Sequence, residues 1–470
     1  MNETIENSAK NSAQSWVLAL TALASFMVAL DAVAVSTALS TIRLDLGTSI
    51  EALEWVVNAY NLTFAVLLLT GAALGDRFGR RRMFAAGLLL FVLASAACAL
   101  SRDATALIAA RAIQGAGAAL VMPLAMALLS AAFPREARAR ALGIFGSVTG
   151  IALIAGPILG GAIAQALDWR FIFWLNLPIG AVMLPLVRAR IAESRGADPA
   201  LDFGGIALVT GAALGIVWGL MRANASGWGS AEVLSSFAIG FALAIIFVIY
   251  EQRIAAPMVP MRLFGARGFS AGNAAGFCLY ASMYGVLFFL PQFLQVAQGN
   301  GPLATGLRLL PWEATLFVFA PIGGTLVNLI GERALIVAGL LMQAVGFALI
   351  ALIATPALPY ASLVAPLLMA GAGVSMAMPA AQHAVLGAVA PAEIGKASGT
   401  FNMLRFLGGV LGVAVLATLF TARGGYTSPA AVSDGVAAAM GLAALLSLGG
   451  AIAGLWLPGR DVAVPASARA

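Results

Sequence analysis

Residues 71–84 read GAALGDRFGRRRMF, a short connection carrying Arg77, Arg80, Arg81 and Arg82 between two long apolar segments. The chain around it is 61% hydrophobic and only 10% charged over 470 residues, with a mean hydropathy of +0.97. Soluble domains carry about a quarter charged residues, so composition excludes an ordinary soluble globule. Lipid admits only helices or closed barrels, and these unbroken apolar runs lack the alternation of barrel strands. The expected fold is an all-α polytopic membrane protein, and the Arg77 loop orients it, because short basic loops stay cytoplasmic.

Outward from that loop, apolar stretches of about 20 residues, enough to cross about 30 Å of hydrocarbon, recur along the chain. Fourteen spans are expected, at 16–40, 53–74, 84–101, 104–132, 141–165, 171–189, 203–221, 232–250, 269–296, 303–330, 334–354, 360–388, 397–420 and 435–457. An even number puts both termini on one side. Of the 26 Lys and Arg residues, eighteen fall on the side of the Arg77 loop and six on the other. That asymmetry predicts cytoplasmic termini. The polar first fifteen residues precede an apolar run too long for a signal peptide, so the first helix is expected to be retained.

The net charge of +6 belongs to loops rather than to a nucleic-acid-binding surface. Cys98 and Cys278 lie in apolar segments and read as buried hydrophobes, with no disulfide. No Cys/His cluster has metal-ligand spacing, no glycine run forms a phosphate loop, and the loops are too short for a catalytic domain. Neither an enzyme nor an ATP-driven machine is expected; the partners are the lipid bilayer, a small-molecule substrate and protons.

The chain repeats itself. Gly323 to Leu335 replays Gly71 to Met83, matching Gly71 with Gly323, Leu74 with Leu326, Gly79 with Gly331 and Arg81 with Arg333 at one offset. Pro134, Glu136, Arg140 and Gly143 recur as Pro391, Glu393, Lys396 and Gly399 at nearly the same offset. The expected organisation is a tail over 1–15, a six-helix bundle over 16–190, two inserted helices over 191–267, a second six-helix bundle over 268–457 and a tail over 458–470. Parallel repeats of this kind build a substrate site near the membrane midplane. Asn328 replaces Asp76 in the second copy, so the first copy is expected to carry the switch.

Asp31 lies well inside span one. A carboxylate in hydrocarbon faces the bundle interior, pairs, or binds a proton; the plainer reading is a structural tie to a neighbouring helix. Arg111 and Gln114 share span four, and an arginine there needs acceptors. Its sharper role is to set when a neighbouring carboxylate releases its proton. Span five holds Gly150, Gly156, Pro157, Gly160 and Gly161, small residues for close helix approach and a proline that bends the helix. Glu313 reads either as a second proton or cation site facing the cavity or as a solvated acid near the external mouth. His383, the lone histidine, is of a type that titrates near neutral pH but more often serves as scaffold. Tyr280, Tyr284 and Phe288, and Tyr60 with Phe64, recur every four residues and so share helical faces. They read as core packing or, with Trp312 and adaptable Met376, as a cavity offering cation–π contact to a lipophilic cation.

Together GAALGDRFGRR, LDAVAVSTAL (residues 30–39), WVVNAY (55–60), RAIQGAGAA (111–119), GIALIAGPILGG (150–161), DWRFIFWLNLPIG (168–180), LPQFLQVAQG (290–299) and GKASGTFNMLRFLGGVLGVA (395–414) resemble the fourteen-helix drug:proton antiporter branch of the major facilitator superfamily. The resemblance implies a multidrug efflux protein of the bacterial cytoplasmic (inner) membrane, a monomer with no cofactor, driven by the proton gradient through alternating access. It implies Asp31 as the proton- or cation-responsive carboxylate, Arg111 as its modulator, and Gly71, Gly75, Asp76, Arg77, Gly79, Arg80 and Arg81 as a conformational switch loop, Asp76 facing the start of span thirteen near Gly395. The span-five glycines match the antiporter motif. Ala34, Ser36 and Ser40 depart from the family's polar first-helix run, which leaves the substrate open. A dedicated exporter of a metabolite, natural product or siderophore is the alternative within transport, and a channel or membrane sensor the alternative outside it. Whether a periplasmic adaptor completes the route stays open.

Overall fold

The computed structural model describes residues 2–196, 202–390 and 393–459. Pro391 and residues 460–470 lie outside the described residues, as do the side chains of Glu136, Arg140 and Asn328 and the surroundings of Gly143. Every regular element among the described residues is helical: α1 (Asn2–Leu46), α2 (Ile50–Phe78), α3 (Arg80–Leu100), α4 (Ala104–Ala132), α5 (Arg135–Ala166), α6 (Phe171–Trp174), α7 (Asn176–Arg190), α8 (Phe203–Ser226), α9 (Ala231–Arg253), α10 (Arg267–Gln292), α11 (Pro302–Ile330), α12 (Glu332–Ile353), α13 (Tyr360–Gly387), α14 (Ile394–Arg423) and α15 (Pro429–Leu455). Among these residues, fourteen stretches are long and apolar enough to cross a membrane. They match the fourteen expected spans one for one, with α6 and α7 sharing span six.

Local chemistry sets the helix ends. Ser49, Asp103 and Ser428 accept hydrogen bonds from the backbone N–H of Ala52 (3.2 Å), Ala106 (2.8 Å) and Ala431 (3.1 Å), satisfying donors orphaned at the starts of α2, α4 and α15. α2 and α3 are separated by Gly79 alone, at φ 109°. That conformation strains other residues, and a Cβ at Gly79 would also lie 2.8 Å from the Glu193 carboxyl carbon. α10 runs through Pro291 into a π turn, Phe293–Ala297, in which the Gln298 N–H reaches the Phe293 carbonyl at 3.2 Å.

The chain divides into two compact units, Met1–Met258 with Leu290–Leu310, and Val259–Phe289 with Pro311–Ala470. In the first, α1 packs on α5, and α2 and α3 on α4. Glycine makes these approaches close: a Cβ at Gly115 would sit 2.3 Å from the Tyr60 carbonyl oxygen, and one at Gly160 2.3 Å from that of Ala34. In the second unit α12 packs on α13 and α15, and α14 on α15. The α8–α9 pair belongs to the first unit and meets α2 through Trp55 and Trp218 (6.1 Å) and the Glu51–Arg222 ion pair (3.6 Å). Only 17% of the most apolar stretch of α9 is buried, against 67% of that of α1. Ile239, Phe241, Ile245 and Ile249 are exposed on α9, a surface suited to lipid rather than water.

Candidate functional site

Asp31 of α1 is 1% exposed, as is Arg111 of α4. Their side chains meet at 2.6 Å, Arg111 Nη1 donating to Asp31 Oδ2. The other carboxylate oxygen, Oδ1, accepts from Gln114 Nε2 (2.9 Å) and Asn176 Nδ2 (3.0 Å). Arg111 is held from its far side as well, with Nε on the Val56 carbonyl (3.2 Å) and Nη1 on Gln114 Oε1 (2.7 Å). Its guanidinium carbon stacks 4.2 Å from the centroid of the buried Tyr60 ring. Ser95 closes the network, accepting from Asn176 (2.8 Å) and Gln114 (3.3 Å) while donating to the Phe173 carbonyl (3.0 Å).

Residues of α1, α2, α3, α4 and α7 thus join in one polar network around the Asp31 carboxylate, which itself accepts from α4 and α7. A buried ion pair repays its desolvation only when the remaining lone pairs and protons find partners, and here both carboxylate oxygens are engaged. Of the residues expected at this site, Asp31, Arg111, Gln114 and Tyr60 come together; Phe64 is buried one turn along α2, 6.1 Å from Tyr60. Ser95 and Asn176 were missed. Asn176 stood in the quoted stretch 168–180 and is the polar residue inside an otherwise apolar span, which was its signal. Ser95 had none, being one small residue among many in ASAACA.

The switch-loop residues gather at the α2–α3 corner. Asp76 pairs with Arg80 at 2.7 Å, and its carbonyl accepts from the Gly196 N–H at 3.2 Å. Within the first unit, the Asp76 partner is therefore Arg80, its neighbour one turn on. Arg80 N–H bonds the Ser194 carbonyl (2.8 Å) and Arg81 N–H bonds Glu193 Oε1 (2.9 Å). Arg81 Nη1 reaches the carbonyls of Arg188 (3.3 Å) and Ile191 (3.2 Å). Glu193 is the anchor that sequence reading overlooked, since it lies in the α7–α8 connection more than a hundred residues away. Arg77 is exposed, with its guanidinium 5.5 Å from the Phe78 ring. Gly71 and Gly75 fit against Ala119 and Leu124 of α4.

On α5, Gly156 and Gly160 lie against Val33 and Ala34, two to three residues past Asp31, while Gly161 and Pro157 lie against Pro302 and Gly306. Gly150 is half-buried. Glu54 of α2, 3% exposed, is a buried acid that the sequence reading did not single out.

In the second unit, Tyr280 and Phe288 are buried and Tyr284 half-buried. The Tyr280 face is covered by Arg405 of α14, 4.5 Å from the ring centroid, and Phe288 packs edge-on against Phe289 at 4.8 Å. Trp312 is buried beside Phe347, centroids 5.9 Å apart, and Met376 is half-buried beside Gly323. Glu313 is half-buried on α11. His383 is exposed and hydrogen-bonds Glu332 at 2.8 Å.

Comparison with known proteins places the chain. The family described as Major Facilitator Superfamily matches residues 21–413 and, in a second match, 272–469. The multidrug resistance protein Stp of Mycobacterium tuberculosis is 36% identical over 88% of this chain and 77% of its own length. The cephamycin export protein CmcT of Amycolatopsis lactamdurans is 36% identical over 90% of this chain and 88% of its own. A bacterial homologue of the human lysosomal transporter Spinster, solved in an inward-facing and unoccupied conformation, shares the fold, with a TM-score of 0.69 at 16% identity over 95% of this chain and 98% of that one.

Proposed function

The chain belongs to the major facilitator superfamily, a multi-pass membrane protein, and on that premise we propose that it expels lipophilic drugs in exchange for protons, with Asp31 as the coupling carboxylate. The observation that carries this is the enclosure of Asp31 of α1 by donors from two other helices, Arg111 and Gln114 of α4 and Asn176 of α7. An ionised carboxylate only accepts hydrogen bonds, whereas a protonated one must donate through one oxygen. Taking up a proton therefore cancels the charge facing Arg111 and sets an O–H against groups that also donate. One protonation event weakens the ties of α1 to α4 and α7 together.

Exchange follows when drug and proton compete. With the site open outward, Asp31 gains a proton and drug leaves; with it open inward, the proton leaves and drug binds. The α1–α5 glycine contact transmits the change, since Gly156 and Gly160 pack within a turn of Asp31. The Asp76–Arg80 pair and the Glu193 anchor act as the latch between access states. Glu313 is a second membrane-embedded acid for proton or cation traffic. No ATP, metal or cofactor enters the cycle. The Lys and Arg distribution supports a bacterial cytoplasmic membrane with both termini inside.

Relatives named for resistance support the drug-efflux reading. Relatives named for export of a single antibiotic favour a second one, a dedicated natural-product exporter using the same machinery. The test is uptake of a lipophilic dye into inverted membrane vesicles under an imposed proton gradient. Gradient-dependent uptake that disappears in Asp31→Asn supports coupled efflux; uptake indifferent to the gradient or to that substitution overturns it.

A further inference from the structure

Arg405 is a half-buried arginine within a membrane span, and it is held quite differently from the buried Arg111. It lies about 17 Å along α14 from its first residue, by the 1.5 Å rise of a helix. Its guanidinium carbon sits 4.5 Å from the centroid of Tyr280 and 5.2 Å from that of Phe406. One hydrogen bond goes to the Tyr284 hydroxyl. Its Nε is buried with no acceptor. Among the described residues no carboxylate pairs with it, although the residue is half-buried and so retains an open side.

An intramembrane cation is costly and ordinarily paired. Among the described residues the chain supplies Asp31 to Arg111 and only ring faces and one phenol to Arg405. The missing component is an anion. We propose that Arg405, with Tyr280 and Tyr284, forms the polar end of a substrate site that takes a lipophilic aromatic compound bearing a carboxylate or another oxyanion. This rests on the transport reading above and narrows its substrate class. A guanidinium presents a planar fork of donors that matches a carboxylate, and the Tyr284 and Phe406 rings, 6.3 Å apart, offer apolar surface beside it. The same geometry disfavours the lipophilic cation expected from the aromatic rows. Tyr280 already carries the protein's own cation on its face, and a second positive charge would meet repulsion with no acid to offset it.

The test uses two dyes on one xanthene scaffold, fluorescein as the anion and rhodamine 6G as the cation, titrated against purified full-length protein by fluorescence polarisation. Wild type is expected to bind fluorescein more tightly than rhodamine 6G. Arg405→Gln is expected to lower the fluorescein-to-rhodamine affinity ratio about tenfold or more, the size of a lost charged hydrogen bond. Arg405→Lys, which keeps the charge and loses the fork, is expected to fall between them and guards against a folding defect. Preference for rhodamine, binding of neither dye, or a ratio unmoved in Arg405→Gln overturns the proposal. Fluorescein binding that depends on Arg405 without gradient-driven uptake would instead count against proton coupling alone.

Discussion

Each unit buries a polar cluster where the helix related to α1 meets its neighbours, and the two clusters differ in charge. In the first, Asp31 and Arg111 meet at 2.6 Å inside a shell of amide and hydroxyl groups. In the second, Gln343 of α12 donates to Ser282 of α10 at 2.8 Å, and Ser447 of α15 bonds Ser282 at 3.1 Å. Ser282 stands within one position of the place that the repeat offset assigns to the counterpart of Asp31. Thus α10, α12 and α15, which the repeat relates to α1, α3 and α7, are joined by neutral groups, whereas in the first copy α1 is also tied to α4 by an ion pair. The neutral cluster demonstrates that holding such helices together needs no charge. A buried ion pair is often no more stabilising than apolar residues of the same shape, which supports the proposal that the charge in the first unit serves what a hydroxyl cannot do, which is change with a proton.

The comparison can be broken most severely at Arg111. Arg111→Met leaves a buried carboxylate without its cation, and the expected loss is about 3–5 kcal/mol, read as a large drop in thermal stability in detergent. Adding Asp31→Asn is expected to restore much of that stability while transport stays uncoupled. Full coupling in the double variant would remove the distinction between the clusters. Gly160→Val forces side-chain atoms against the Ala34 carbonyl and the Thr37 hydroxyl and is expected to cost about 1–3 kcal/mol by overpacking, with turnover falling further than stability because α1 carries Asp31. Glu193→Gln releases the anchor of Arg81 and Arg82, a partly exposed contact worth up to about 1 kcal/mol; its signature is a changed transport rate at nearly unchanged melting temperature. The smallest effect is expected at Ser282→Ala, about 0.6 kcal/mol as for an average interhelical hydrogen bond in a membrane. Proton-coupled transport that survives Ser282→Ala sharpens the contrast, and its loss would mean the neutral cluster also takes part.

Sequence reading reached the fold because lipid enforces it locally. Span length, basic loops and the GAALGDRFGRR loop with its partial replay at 323–333 are each confined to short windows, and all fourteen spans appear where the hydropathy places them. Asp31, Arg111 and Gln114 were legible because a polar group in hydrocarbon stands out. Ser95 and Glu193 were not, because their roles depend on which helices pass close to Gln114 and Arg81, and no local pattern encodes that. The aromatic rows were legible as rows, but their neighbours were not: spacing puts Tyr60, and likewise Tyr280, on a helical face, and only packing brings Arg111 and Arg405 onto those rings.

The central claim is that Asp31 exchanges its proton for substrate, and proton release tests it most directly. Purified protein in weakly buffered detergent, given a dye that it binds, is expected to acidify the solution in wild type and to release nothing in Asp31→Asn while the dye still binds. Equal release from both proteins would contradict the account and move the coupling proton to another acid, Glu54 or Glu313.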